Sequence, residues 1–168
     1  MTPLLQTCPE LEKHAELPEI HYVVGFVFDC DLRKVVLIRK CRPAHLAGKL
    51  NGPGGKVEAG ETALQAMVRE MKEETDLQIA PEDWRAFATG RGVEADLSAR
   101  YRIDFFTAVS PIEAAVTLTD EAVVFYLVSE IAYVRRRFDA HLGRVAWLVA
   151  LALAHLQHDQ PAYVTICY

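Results

Sequence analysis

Residues 55–77 read GKVEAGETALQAMVREMKEETDL, a glycine-containing turn running into a helix that carries Glu70, Glu73 and Glu74. Positions i, i+3 and i+4 of a helix lie on one side, so the three carboxylates are neighbours. Like charges held that close repel unless a cation sits among them, and oxygen donors of this kind suit a hard divalent metal. Leu64, Met67, Val68 and Met71 recur at helical spacing and set the core side of a helix running from about Thr62 to Thr75. Ala63 and Ala66 fall on the glutamates' side of the helical wheel, where small side chains leave room for ions and ligand.

Strand and turn signals flank this helix on both sides. Ile20 to Phe28 and Lys34 to Ile38 are apolar, β-branched and aromatic runs separated by a turn at Asp29 to Asp31, which predicts a hairpin. Arg39 to Leu50 holds Pro43, Gly48 and several basic residues and reads as a loop able to hang over a ligand. After the helix, Leu77 to Ile79 and Trp84 to Thr89 read as strands, Gly90 to Gly92 as a turn, and Tyr101 to Val109 and Val123 to Val128 as further strands. A last helix, apolar nearly all round, is expected from about Asp139 to Gln157. Pro161 stops it, and Tyr163 to Cys167 is expected to add a terminal strand. Strands on both sides of one helix, with a second helix at the end, predict an α/β fold in which helices cover both faces of a mixed sheet.

A chain of 168 residues suits one compact domain, expected over 20–168, behind an irregular lead of 1–19 that carries Pro3, Pro9 and Pro18. A net charge of −5 gives no electrostatic footprint for a nucleic-acid polymer or an anionic membrane. A small anionic ligand held through a metal remains open. The most apolar stretch, Val145 to Leu156, falls short of the ~20 residues that a membrane span requires. The N-terminus has no basic start followed by an apolar run, so no secretory signal is expected. Cys8, Cys30, Cys41 and Cys167 lie far apart with no zinc-like spacing, and are read as small apolar fillers in a reducing, cytoplasmic setting.

The central segment resembles the Nudix box, G-x5-E-x7-R-E-U-x-E-E-x-G-U with U a bulky apolar residue. Gly55, Glu61, Arg69, Glu70, Met71, Glu73, Glu74 and Leu77 all fall at the required positions. One position departs: Asp76 stands where the family has its last Gly. That Gly ends the helix in a left-handed conformation, which Asp tolerates better than most residues at a cost within roughly 1 kcal/mol. The hairpin before the box, the run Asn51-Gly52-Pro53-Gly54-Gly55-Lys56 and the apolar last helix extend the likeness to MutT-type members. The resemblance implies a Nudix-type α/β/α sandwich and hydrolysis of a nucleoside diphosphate-linked substrate with Mg²⁺, for which Mn²⁺ substitutes.

By the same resemblance Glu70, Glu73 and Glu74 would bind the metal, with the Gly54 carbonyl a further ligand. Glu74 or a neighbouring carboxylate would help to deprotonate water. Arg69 would hold the glutamates in place and Glu61 would orient the loop against the helix, while Lys56, beside Gly55, would touch the phosphates. MutT-class members often supply another carboxylate before a late strand; Glu121 is the first choice here and Asp120 the second. Arg39, Lys40 and Arg42 either meet a triphosphate tail or are surface charges, and Asn51 either touches the base or satisfies the turn backbone.

The expected reaction is cleavage of a (deoxy)nucleoside triphosphate to its monophosphate and pyrophosphate, as in sanitation of the nucleotide pool. ADP-ribose, nucleotide sugars and dinucleoside polyphosphates are the alternative substrates. Outside the enzymes, the alternative is a catalytically inactive nucleotide-binding sensor. The partner expected is a small nucleotide rather than a nucleic-acid polymer or a membrane, with a homodimer as one option for assembly.

Overall fold

The computed structural model describes residues 9–94, 96–134, 145–158 and 164–167. In chain order the elements are α1 (Pro9–Glu12), β1 (Glu19–Phe28), β2 (Lys34–Arg39), β3 (Leu50–Asn51), α2 (Ala63–Thr75), β4 (Arg85–Val93), β5 (Arg100–Val109), β6 (Ala122–Leu127), α3 (Val128–Val134), α4 (Val145–Gln157) and β7 (Val164–Cys167). The strands form one mixed sheet. Parallel pairing joins β1 to β5 along its whole length, from Glu19↔Arg100 to Phe28↔Val109. Antiparallel β4 follows β5, with β7 parallel beside it. On the other side β2 pairs antiparallel with β6 over all six of its residues.

Period-two alternation along β1 divides the core into two layers. Val23 and Val27 pack with Val36, Trp84 and Phe106 under α2, which contributes Ala66, Met67 and Met71. Val24, Phe26 and Phe28 face the opposite way, with Leu37, Phe87 and Phe105, and are covered by Ile131 of α3 and by Val145, Leu148, Val149 and Ala152 of α4. The result is the α/β/α sandwich expected. Fully burying a side chain such as Phe26 or Met67 contributes about 1.5–3 kcal/mol. Asp104, buried on β5, ties three strands together by accepting from Arg102 at 2.9 and 3.0 Å and from Thr89 at 2.8 Å, with His21 Nε2 at 2.9 Å. Burial pushes its carboxyl up, but the bonds from Arg102, Thr89 and His21 outweigh this and hold it below the usual range.

Between β1 and β2 the sheet splits. Only Val27↔Val36 and Phe28↔Val35 pair before the two strands diverge, and β3 takes up the end of β2 at Ile38 and Arg39. The glycine-rich run then fills the gap along β1. Gly25 N–H donates to the Pro53 carbonyl at 2.8 Å, Val23 N–H to that of Gly55 at 2.9 Å, and Val57 N–H to that of His21 at 2.9 Å. From this anchored run the chain enters α2 through Thr62, whose hydroxyl accepts from Gln65 N–H at 3.2 Å while Gln65 accepts from Thr62 N–H at 2.8 Å.

Several elements differ from the sequence reading. Leu77 to Ile79 is no strand: the segment is extended and buries Leu77 and Ile79 under α2 without a ladder partner, which produces the same alternation. Gly90 to Gly92 lies inside β4, where a Cβ on Gly92 would collide with the Tyr101 ring of β5; the glycine makes room for a side chain rather than a turn. Val128 begins α3, a helix the pattern did not suggest. Ala66 is fully buried in the core, so it gives space for close packing of α2 on the sheet rather than for ligand. Arg39 to Leu50 is a closed hairpin with one short turn of 3-10 helix, held by Lys40 N–H to Lys49 O at 2.9 Å and Gly48 N–H to Lys40 O at 2.8 Å. Pro9–Glu12 makes one helical turn within the expected irregular lead. Cys30 and Cys167 are exposed and Cys41 half-buried, so none of the three is a core filler. Residues 1–8 and 139–144, Pro161 and Tyr163 lie outside the described residues.

Asp76 ends α2 with φ 59° and ψ 4°, the left-handed conformation, its N–H donating to Lys72 O at 2.9 Å. A β-branched residue there meets the full left-handed penalty of about 1–2 kcal/mol, and Gly meets none. Asp76→Gly should therefore leave the urea midpoint unchanged or raised by less than about 1 kcal/mol equivalent. Asp76→Val should lower stability by at least about 1 kcal/mol in the same titration.

Candidate active site

The site starts from backbone. Gly54 has φ +153°, and a Cβ there would run into the Val23 carbonyl oxygen, so only Gly lets the loop lie this close to β1. In that position its N–H donates to Glu74 Oε2 at 2.8 Å. Gly55 serves a close approach of another kind, because a Cβ on it would occupy the place of the Glu70 carboxylate. The carbonyls of Pro53 and Gly55 are taken by β1, and among the described residues none donates to the carbonyl of Gly54.

Arg69 organises the helix side. Its Nε donates to Glu61 Oε1 at 2.7 Å and its Nη2 to Glu61 Oε2 at 3.0 Å, a bidentate pair. The same Nη2 donates to the Lys56 carbonyl at 3.1 Å, while Nη1 reaches Glu70 Oε1 at 2.8 Å and Glu73 Oε2 at 3.1 Å. One guanidinium thus fastens the loop, the helix start and two box glutamates. The Arg69 hydrogen bond, with the Glu58 N–H, holds the Glu61 carboxyl below its usual range. Glu70 moves the other way, because burial outweighs Arg69 and pushes its carboxyl up.

The sheet supplies the opposite wall, just beyond the point where the β2–β6 pairing ends at Arg39↔Ala122. Lys40 Nζ lies 2.5 Å from Glu121 Oε2, and Cys41 N–H donates to Glu121 Oε1 at 3.2 Å. Arg42 Nη2 donates to Asp120 Oδ2 at 3.1 Å. Between these walls lies Glu74, whose carboxyl is pushed up to about 7. Burial is the main cause, and the neighbouring Glu70 and Glu121 charges add to it; the Gly54 N–H and the Lys40 charge oppose it without cancelling it.

The structure therefore brings together Glu70, Glu74, Glu121, Lys40, Gly54 and Gly55. Glu73 is exposed and turned to Arg69. Arg39 is turned away too, its guanidinium donating to the Gly48 carbonyl at 3.1 Å and stapling the hairpin. Arg42 and Asp120 neutralise each other at the exposed rim, with side chains 77% and 67% accessible. Lys56 has an exposed side chain beside the loop, and Asn51 is half-buried on β3 opposite Ile38. The contribution of Cys41 was hidden from sequence reasoning, because its backbone N–H meets a carboxylate 80 positions away and no spacing signals it.

Among the described residues no group of His, Cys, Asp or Glu is arranged to hold a metal as it stands. The reason is visible in the bonding: Arg69, Lys40 and the Gly54 N–H occupy the carboxylates. The donor set nevertheless fits a hard divalent cation. It consists of carboxylate oxygens and one carbonyl that no described residue donates to, with burial first, and the Glu70 and Glu121 charges after it, pushing the Glu74 carboxyl up.

Residues 20–146 match the NUDIX domain model, and the chain belongs to that family. Over 71 residues, 42% of this chain, it is 37% identical to 8-oxo-dGTP diphosphatase of Escherichia coli K12, and the match spans 53% of that protein's length. A putative 8-oxo-dGTP diphosphatase 2 of Mycobacterium tuberculosis (strain CDC 1551 / Oshkosh) is 48% identical over 46 residues, 27% of this chain and 33% of its own. Among solved structures, a MutT from work on the Aliivibrio salmonicida and Vibrio cholerae proteins aligns with TM-score 0.58 and 28% identity, covering 78% of this chain and 96% of its own. The NUDIX domain of Shewanella oneidensis NrtR, complexed with ADP ribose, aligns with TM-score 0.65 over 93% of this chain and 99% of its own at 18% identity, a likeness of fold. Members of this family generally use a divalent metal.

Because the folded state raises the Glu74 carboxyl from 4.5 to about 7, the folded chain binds this proton more tightly than the unfolded chain. The associated stability is complete below 4.5, declines as pH rises through that window and falls no further above about 7. Glu74→Gln keeps an acceptor for the Gly54 N–H and does not titrate. With chelator present, the variant should gain on the wild type by on the order of 2 kcal/mol between pH 4.5 and 8 in thermal unfolding. A pH-independent difference between the two would place Glu74 in water.

Proposed function

We propose that this Nudix chain is a Mg²⁺-dependent pyrophosphohydrolase that converts a (deoxy)nucleoside triphosphate to its monophosphate and pyrophosphate. One arrangement carries the reading: Glu74 is half-buried beside Glu70 and Glu121 and fixed by the Gly54 N–H, and its carboxyl is pushed up to about 7. A general base is most effective when its pKa lies near working pH. In this reading Glu70, Glu73, Glu74 and Glu121, with the Gly54 carbonyl, are the donors for the metal. When bound, the metal supplies positive charge to the phosphate oxygens.

The chain's own groups account for the remaining steps. The Glu74 carboxylate accepts a proton from water as the water oxygen forms a bond to phosphorus. The bond from that phosphorus to the bridging oxygen breaks, and pyrophosphate leaves with the electron pair. Arg69 keeps Glu61, Glu70 and the Lys56 carbonyl in register, so the loop cannot drift from the helix. The exposed Lys56 side chain meets the phosphates.

Names of the relatives support an oxidised purine triphosphate as the first substrate to test. The ADP-ribose-bound neighbour supports ADP-ribose as the second. No helix among the described residues is long and apolar enough to cross a membrane. Free Cys30, Cys41 and Cys167 support work in the cytoplasm.

The test is a screen of normal and oxidised nucleoside triphosphates, ADP-ribose, nucleotide sugars and dinucleoside polyphosphates, with and without Mg²⁺. Pyrophosphate release from at least one triphosphate is expected, with Glu74→Gln lowering kcat at least ~100-fold, about 2.7 kcal/mol of barrier. Cleavage of ADP-ribose alone would move the protein to the second substrate class. Nucleotide binding without any turnover would make it a sensor. A variant within about tenfold of wild type would remove Glu74 from the chemistry.

A further inference from the structure

Of Arg39, Lys40 and Arg42 at the end of β2 and just beyond it, Lys40 alone enters the acidic cleft. Arg39 is fastened to the Gly48 carbonyl and Arg42 pairs with Asp120 at the rim. The Lys40 side chain is only 18% accessible and that of Glu121 11%, so their 2.5 Å pair is poorly screened. The Lys40 charge also acts on Glu74. Its main chain is pinned on both sides, N–H to Lys49 O and carbonyl to Gly48 N–H. The ammonium therefore sits at the end of a flexible four-carbon stem rooted in a fixed backbone.

Resting on the metal-dependent reading above, we propose that Lys40 is a tethered counter-cation of the cleft. It competes with a divalent metal for Glu121 and Glu74 in the free protein, and it yields when a polyphosphate offers the ammonium another anionic partner. Three carboxylates converging without a cation would repel one another. A lysine already in place removes much of that repulsion, which lets the cleft stay assembled and makes entry of a metal a displacement. A phosphate chain near the loop accepts charge-assisted hydrogen bonds from the same ammonium. Phosphate and metal then bind with positive coupling, and the coupling is reciprocal.

The sign of the effect separates this role from a merely structural one. MnCl₂ is titrated alone into the full-length protein, the free ion being followed by electron paramagnetic resonance. Lys40→Met should bind Mn²⁺ at least fivefold more tightly than wild type, and Lys40→Arg, which keeps the charge, should stay within twofold of it. Equal or weaker binding by Lys40→Met overturns the proposal, since loss of a structural lysine gives no gain in metal affinity. A second measurement needs no variant. The wild-type Lys40 ammonium signal in ¹⁵N NMR should be protected from exchange in the free protein and should shift on adding Mg²⁺ with a non-hydrolysable triphosphate analogue. An unmoved signal overturns the proposal as well. Wild type that binds no Mn²⁺ at all would overturn the metal-dependent reading itself, a result distinguishable from failure of the lysine role alone.

Discussion

A carboxylate set into the wall of a protein beside two others is a costly arrangement, and the structure depends on how Glu74 is held there. The holding group is a main-chain N–H, that of Gly54, and it reaches Glu74 because a glycine allows the loop to press against Val23. That loop in turn requires the split between β1 and β2, which gives it a strand edge to follow. The split requires β5 to secure the other side of β1 along its full length. Burial of Glu74, the loop conformation and the topology of the sheet are thus one constraint seen at three scales.

Around it, charge is distributed between two cations of different character. Arg69 is planar and multidentate, and it fixes Glu61, Glu70, Glu73 and the loop carbonyl at Lys56 together. Lys40 carries a point charge on a flexible stem and faces Glu121 across the cleft. The rigid cation belongs to the helix and the flexible one to the sheet. This division leaves the helix side set in shape while the sheet side retains freedom to exchange partners.

Much of this was legible in sequence because the box is local. Gly55, Glu61, Arg69, Glu70, Glu73 and Glu74 lie within 20 consecutive residues, and spacing on one loop and one helix fixes their mutual positions. The left-handed end at Asp76 followed from the same reasoning, and φ 59° is what the structure shows. Legibility ended where contacts became non-local. Lys40 and Glu121 are 81 positions apart, and only the β2–β6 register brings them together. Ala66 shows a different limit: its place on the helical wheel was right, but which neighbour fills the space beside it depends on how α2 packs on the sheet. Gly92 shows a third, since the same residue type marks a turn or makes room for a ring, and Tyr101 decides between them.

The two segments that build the cleft from the sheet side are under unequal restraint. Residues 53–57 run in step with β1, each bond to Gly25, Val23 and His21 counting one position against another. The hairpin between β2 and β3 is closed on itself, meeting the ladder at its base and the Asp120–Glu121 segment through Lys40, Cys41 and Arg42. An inserted or deleted residue in the first would throw the glycines out of phase with the strand and uncouple Gly54 from Glu74. In the tip of the second, between Arg42 and Gly48, it would alter only the overhang. Divergence in length among chains of this design should therefore accumulate in the hairpin tip, and the reach of that overhang is the feature of the cleft most free to change.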